Sequence, residues 1–163
     1  MLSKTIQDAI NDQIKAEFDS AYLYLAMAAW AEAGNLTGVA KWMRAQYTEE
    51  VEHAMKFYDF VNDREGRVML KGIDQPQAEF KTALEVFQLA LGHERKVTGL
   101  INKLYELATK EADTATQVFL EWFITEQIEE EKQASQIVEQ IKLFGGEGVA
   151  LMLLDQQLGV RGG

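Results

Sequence analysis

Hydrophobic residues recur along this chain at intervals of three and four, in four long blocks separated by short polar breaks. That period predicts amphipathic helices. The first block starts behind Ser3, a good N-cap residue, and runs to Ala33, where Gly34-Asn35 marks a turn. The second extends to about Glu65, just before Gly66. A third begins near Glu79 and fades around Thr109, and a fourth occupies roughly Ala112 to Phe144. Gly145-Gly146 then interrupts the pattern, and VALMLLDQQLG predicts a short fifth helix over about 147–159. With a single proline and no Asn-Gly or Asp-Gly hairpin signal, nothing argues for strands. The expectation is an all-α fold in one domain over 1–163, a four-helix bundle at 3–144 followed by the short helix.

The link from Gly66 to Ala78 is longer than adjacent antiparallel helices need, and it carries Val68, Met69, Leu70 and Ile73. Extended, it spans about 43 Å, close to the length of a 30-residue helix. It is therefore expected to cross the length of the bundle and make the second and third helices parallel.

Each apolar stripe is broken near its middle. The first reads Ile6, Ile10, Gln13, Glu17, Ala21, Tyr24, Ala28, and the second Val39, Met43, Tyr47, Glu50, Ala54, Phe57, Val61, with His53 beside Glu50. The third reads Leu84, Phe87, Leu91, Glu94, Thr98, Ile101, Tyr105, Ala108, and the fourth Leu120, Phe123, Gln127, Glu130, Ala134, Ile137, Ile141. Glu17 and Glu50 lie 17 and 16 residues either side of Gly34, which puts both about 25 Å from the shared turn. Glu94 and Gln127 flank Lys110 in the same way, and adding 77 to 17, 50 and 53 gives 94, 127 and 130. The spacing describes two similar hairpins with polar groups at one depth.

Buried together and unpaired, four carboxylates, an imidazole and an amide would repel and desolvate one another, whereas divalent cations would compensate them directly. The absence of cysteine excludes thiolate ligands and a disulfide framework, and an oxygen-rich set with one imidazole points to iron or manganese. A net charge of −10 argues against nucleic acid or an anionic membrane as partner and suits cations. MLSKTIQDAI lacks the apolar stretch of a signal peptide and no run is long enough to span a bilayer, so the expected location is the cytoplasm. Glu52 and Lys56 read as solvated surface, and Glu49, Glu126 and Glu129 lie off the stripes.

Glu17, Tyr24, EEVEH at 49–53, Glu94 and WFITEQIEEEK at 122–132 resemble the marks of the prokaryotic non-haem ferritins, and the resemblance covers essentially the whole chain. It implies a ferroxidase that oxidises Fe(II) with O2 at a di-iron centre within each subunit, and iron storage as ferric mineral in a hollow homo-oligomeric cage of 24 subunits. It implies that Glu17, Glu50 and His53 hold one iron, that Glu50 bridges, and that Glu94 and Glu130 hold the second with Gln127 close by. It also implies a third iron site at Glu49, Glu126, Glu129 and Glu130, and a tyrosine, Tyr24, adjoining the centre. Asp113, Gln117 and Glu121 are the residues it suggests for the channel that admits iron, and Trp122 and Tyr24 are its candidate electron donors. Bacterioferritins carry a second Glu-x-x-His where this chain has Gln127 and Glu130, and a haem-ligating methionine where it has Val51, so haem is not expected.

The fifth helix is apolar over most of its surface, and the resemblance places four such helices around the four-fold axis of the cage. The alternative is a small di-iron oxidase or peroxidase of rubrerythrin type without mineral storage. The missing second Glu-x-x-His and the missing cysteine-ligated iron module weigh against it.

Overall fold

The computed structural model describes residues 1–161. The chain forms five helices, α1 (Lys4–Ala33), α2 (Thr37–Asp63), α3 (Ala83–Lys110), α4 (Thr114–Phe144) and α5 (Gly148–Leu158), and no strand occurs among the described residues. Side-chain caps fix three of the starts. Ser3 Oγ accepts from the Ile6 amide at 3.2 Å, Thr82 Oγ1 from Glu85 at 3.1 Å, and Asp113 Oδ1 from Thr116 at 3.0 Å. The third helix thus begins at Ala83, four residues after the expected Glu79, because the cap with its acid three residues on is TALE rather than anything earlier.

α1, α2 and α3 end in one shared motif. Asn35, Glu65 and Ala112 adopt φ of 62°, 60° and 55°, and the next amide reaches back five residues: Leu36 to Ala31 at 2.8 Å, Gly66 to Val61 at 2.8 Å, Asp113 to Ala108 at 2.9 Å. Ala112, expected to open the fourth helix, instead terminates the third. α2 has no side-chain cap of its own at Leu36. Its first-turn amide at Val39 donates instead to Asp155 Oδ1 of α5 at 2.8 Å.

The long connection behaves as its length predicts. It starts beside the beginning of α1, where Leu2 N donates to Arg64 O, and climbs along α1 through Gln7–Arg67, Asn11–Met69, Lys71–Asp12 and Asp74–Asp19 hydrogen bonds. It arrives with Phe80 edge-on against Trp30, 5.9 Å between centroids. α3 therefore starts at the end of the bundle where α2 starts, and the two run parallel.

The stripes are buried as read in α1 and α4. In α2 and α3 the interior drifts by one residue: Gln46, Ala83, Val97 and Leu104 are buried, and Tyr47, Leu84, Thr98 and Tyr105 only half-buried. Two apolar clusters result. One gathers Tyr24, Met27, Val39, Met43, Phe87, Val138 and Ile141 together with Leu154 and Leu158 of α5, and the other gathers Ile6, Ile10, Ile14, Phe57, Val61, Ile101, Leu120 and Phe123. Between them lies a polar layer.

Candidate metal centre

All four long helices contribute to that layer. Gln13, Glu17, Gln46, Glu50, His53, Glu94, Gln127 and Glu130 are each at most 4% exposed, which for ionisable groups requires compensation. Glu50 and His53 sit one turn apart on α2, with His53 Nδ1 3.4 Å from Glu50 Oε2 and 3.9 Å from Glu17 Oε2. Two clusters share Glu50: ligand atoms of Glu17, Glu50 and His53 lie within 4.8 Å of one another, and so do those of Glu50, Glu94 and Glu130. A third cluster joins His53, Glu126 and Glu130.

Neutral donors hold several carboxylates from behind. Gln13 Nε2 donates to Glu17 Oε1 at 3.0 Å, Tyr24 Oη to Glu94 Oε1 at 2.6 Å, Gln127 Nε2 to Glu94 Oε2 at 3.2 Å, and Gln46 Nε2 to Glu130 Oε2 at 2.9 Å. Gln46 was not singled out from the sequence, although its position one turn before Glu50 is a usable signal. Thr98 was also missed in this role: its hydroxyl accepts from Gln127 at 3.1 Å and donates to Glu131 Oε2 at 2.6 Å.

What the protein leaves open is informative. Among the described residues, Glu17 Oε2 and Glu50 Oε2 are buried without a hydrogen-bond partner. Burial, then the neighbouring Glu50 charge, pushes the Glu17 carboxyl well up, and burial followed by the Glu94 charge does the same to Glu50. Burial and the Glu94 charge raise Glu130 to about 8, and burial raises Glu94 too. Burial and Glu94 hold Tyr24 as a neutral phenol. A carboxylate set raised by its own burial and mutual repulsion, with two lone oxygens turned on one imidazole, fits divalent cations.

The outlying residues are less uniform. Glu126 is half-buried and joins His53 and Glu130, whereas Glu129 is exposed and accepts from Gln133 Nε2 at 3.5 Å. Glu49 is bound by Arg161 at 2.9 Å. Trp122 packs edge-on against the His53 ring, 5.4 Å between centroids, beneath the Lys56 ammonium. Of the residues expected to line the iron-admitting channel, Asp113 is already committed to capping α4 and to Arg64 at 3.1 Å. Gln117 donates to Thr109 Oγ1 at 3.0 Å, and Glu121 is exposed.

Four long helices with a crossover from the second to the third, enclosing a carboxylate-rich layer, define a helical-bundle protein built to hold cations between its helices. The family model for the Ferritin-like domain matches residues 7–144, and the chain belongs to the ferritin family. It is 42% identical to a bacterial non-heme ferritin of Bacteroides fragilis, with 99% of this chain and 100% of that one covered. It is 35% identical to a probable bacterial non-heme ferritin-like protein of Haemophilus influenzae, covering 98% and 96%. The structure also superposes on an open pore ferritin from the archaeon Archaeoglobus fulgidus with a TM-score of 0.97, at 44% identity over 99% of both chains.

Proposed function

We propose that this protein stores iron and acts as a ferroxidase, oxidising Fe(II) with O2 at a centre inside each subunit and holding the ferric product as mineral within a protein cage. The observation that carries this reading is the sharing of Glu50 between two ligand clusters, one with Glu17 and His53 and one with Glu94 and Glu130. One carboxylate common to both sets keeps two ions adjacent, so that each Fe(II) can give one electron to the same O2. Gln127, tied to Glu94, positions that ligand, and Tyr24 fixes the other Glu94 oxygen. Glu49, Glu126, Glu129 and Glu130 make up the third iron site, and they form an acidic route from the centre towards the mineral cavity.

The chain works as one ferritin-like unit over 1–163, in the cytoplasm, as a homo-oligomer of 24. Exposed Val149, Met152 and Leu153 on α5 supply an apolar face that neighbouring subunits would cover. Aerobic addition of Fe(II) followed by size-exclusion chromatography tests storage: a very large particle carrying many irons per chain is expected. A small species with at most a few irons per chain would refute storage. In Glu50→Ala, tight anaerobic Fe(II) binding is expected to collapse in both halves of the centre while the assembled particle persists. Unchanged binding would remove Glu50 from the site.

A further inference from the structure

We propose that Arg161 is a lock on the acidic route out of the centre, holding the Glu49 carboxylate until a divalent cation displaces it. The inference rests on the preceding reading that cations occupy the centre and move past Glu49.

The lock is built from three contacts. Arg161 Nη2 donates to Glu49 Oε1 at 2.9 Å, and the guanidinium carbon lies 4.6 Å from the centroid of the Trp42 ring. Trp42 and Glu49 are seven residues apart, two turns along one face of α2, and the one guanidinium touches both side chains. The segment that carries Arg161 follows α5, which is itself fixed in register. Asp155 Oδ1 takes the Val39 amide, Leu154 and Leu158 are buried, and the backbones approach so closely that a Cβ on Gly38 would meet the Asp155 carbonyl oxygen at 1.7 Å. Gly159 lies against the Gly38 Cα at the same crossing. Arg161, three residues past Leu158, thus reaches Glu49 from the end of a docked helix.

Position gives the contact its consequence. Glu49 precedes Glu50, the carboxylate shared by both clusters, and its charge reaches Glu50 and Glu130. A divalent cation at Glu49 would have to share the carboxylate with a guanidinium 2.9 Å away or drive it off. The pair is also suited to release. Glu49 is 39% exposed, and Arg161 Nη1 is buried with no partner among the described residues, so half of the guanidinium gains nothing from staying. A lock of this kind keeps the outer acids from competing with the centre when iron is scarce and opens when iron is abundant.

Anaerobic titration of the assembled protein with Co(II), followed by calorimetry, separates the outcomes. The parent protein is expected to take two ions tightly and a third weakly. Arg161→Gln should tighten the third ion by about fivefold, the upper range for a part-exposed pair, without changing the first two. Arg161→Lys should restore the weak third site. Measured against Glu49→Gln alone, adding Arg161→Gln should give no gain, whereas a mere loosening of α5 would give one in either background. Third-ion affinity unchanged in Arg161→Gln, or a gain that persists in the double variant, overturns the lock alone. A parent protein that binds no Co(II) tightly overturns both the centre and the lock.

Discussion

The α1–α2 hairpin brings Glu17, Glu50 and His53 to the central layer, and the α3–α4 hairpin brings Glu94, Gln127 and Glu130 from positions 77 residues further on. Backbone placement is alike in the two, but the way charge is managed is not. In the first, one imidazole faces two carboxylates whose Oε2 atoms have no partner among the described residues. In the second, Glu94 is held at one oxygen by Tyr24 and at the other by Gln127, and Glu130 is held by Gln46. Gln13 holds Glu17 at Oε1, but the α1–α2 half still leaves two buried oxygens for a cation to satisfy, whereas the α3–α4 half is more fully arranged by hydrogen bonds. It follows that the first half, which also owns the only nitrogen ligand, should bind its ion more tightly.

Removing one ligand from each half is the strongest way to break this comparison. His53→Ala is expected to abolish the tighter of the two ions, and Glu130→Ala the weaker. Either change should slow the first aerobic turnover by at least about 100-fold, because two electrons require two ions. Anaerobic Fe(II) titrations resolve the order of filling. If both variants lost the same ion, the two halves would not be distinct sites.

Acidity offers the next largest effect. Glu17, Glu50, Glu94 and Glu130 all titrate above their ordinary range, Glu130 moving from 4.5 to about 8 through burial and the Glu94 charge. Each binds its proton more tightly folded than unfolded, so the stability it contributes is complete below the ordinary carboxylate range and lost as pH rises through its raised folded value, which for Glu130 is about 8. The metal-free protein should therefore melt at a lower temperature at pH 8 than at pH 5.5, by a margin worth a few kcal/mol. Bound Fe(II) or Co(II) should shrink or reverse that trend, since cations displace the protons. A metal-free melting temperature that rises over this interval would contradict the assigned burial.

Much of this was legible in the sequence because helical period and charge cost act together. A glutamate on an apolar stripe is conspicuous, and four at one depth place the polar layer before any coordinates are known. The crossover could be read from the length between Gly66 and Ala78 alone. What stayed hidden depends on side-chain rotamers and long-range packing. Ala112 has no propensity for the left-handed conformation it adopts, so the end of α3 could not be located from residue type. Residue type gives no hint that Asp155, 116 positions away, supplies the missing cap of α2, or that Asp113 is committed to Arg64. Gln46 and Thr98 are ordinary polar residues until their partners are known.

The smallest effect should come from Thr98, and it sharpens the contrast between the halves most finely. Its single hydroxyl proton goes to Glu131 Oε2, a charge-assisted bond at 2.6 Å, which leaves the oxygen to accept from Gln127 Nε2. Gln127 Nε2 has two protons for three acceptors, so in Thr98→Val, which keeps the shape, both settle on the Glu94 carbonyl at 3.1 Å and the Glu94 carboxylate at 3.2 Å. The loss is then at most one neutral hydrogen bond, about 1 kcal/mol or about fivefold in affinity. That weakening should fall on the α3–α4 ion alone and be recovered in Thr98→Ser, while the ion held by Glu17 and His53 binds as before. An equal loss at both ions would mean that the two halves are coupled through Glu50 too strongly for either to be prearranged on its own.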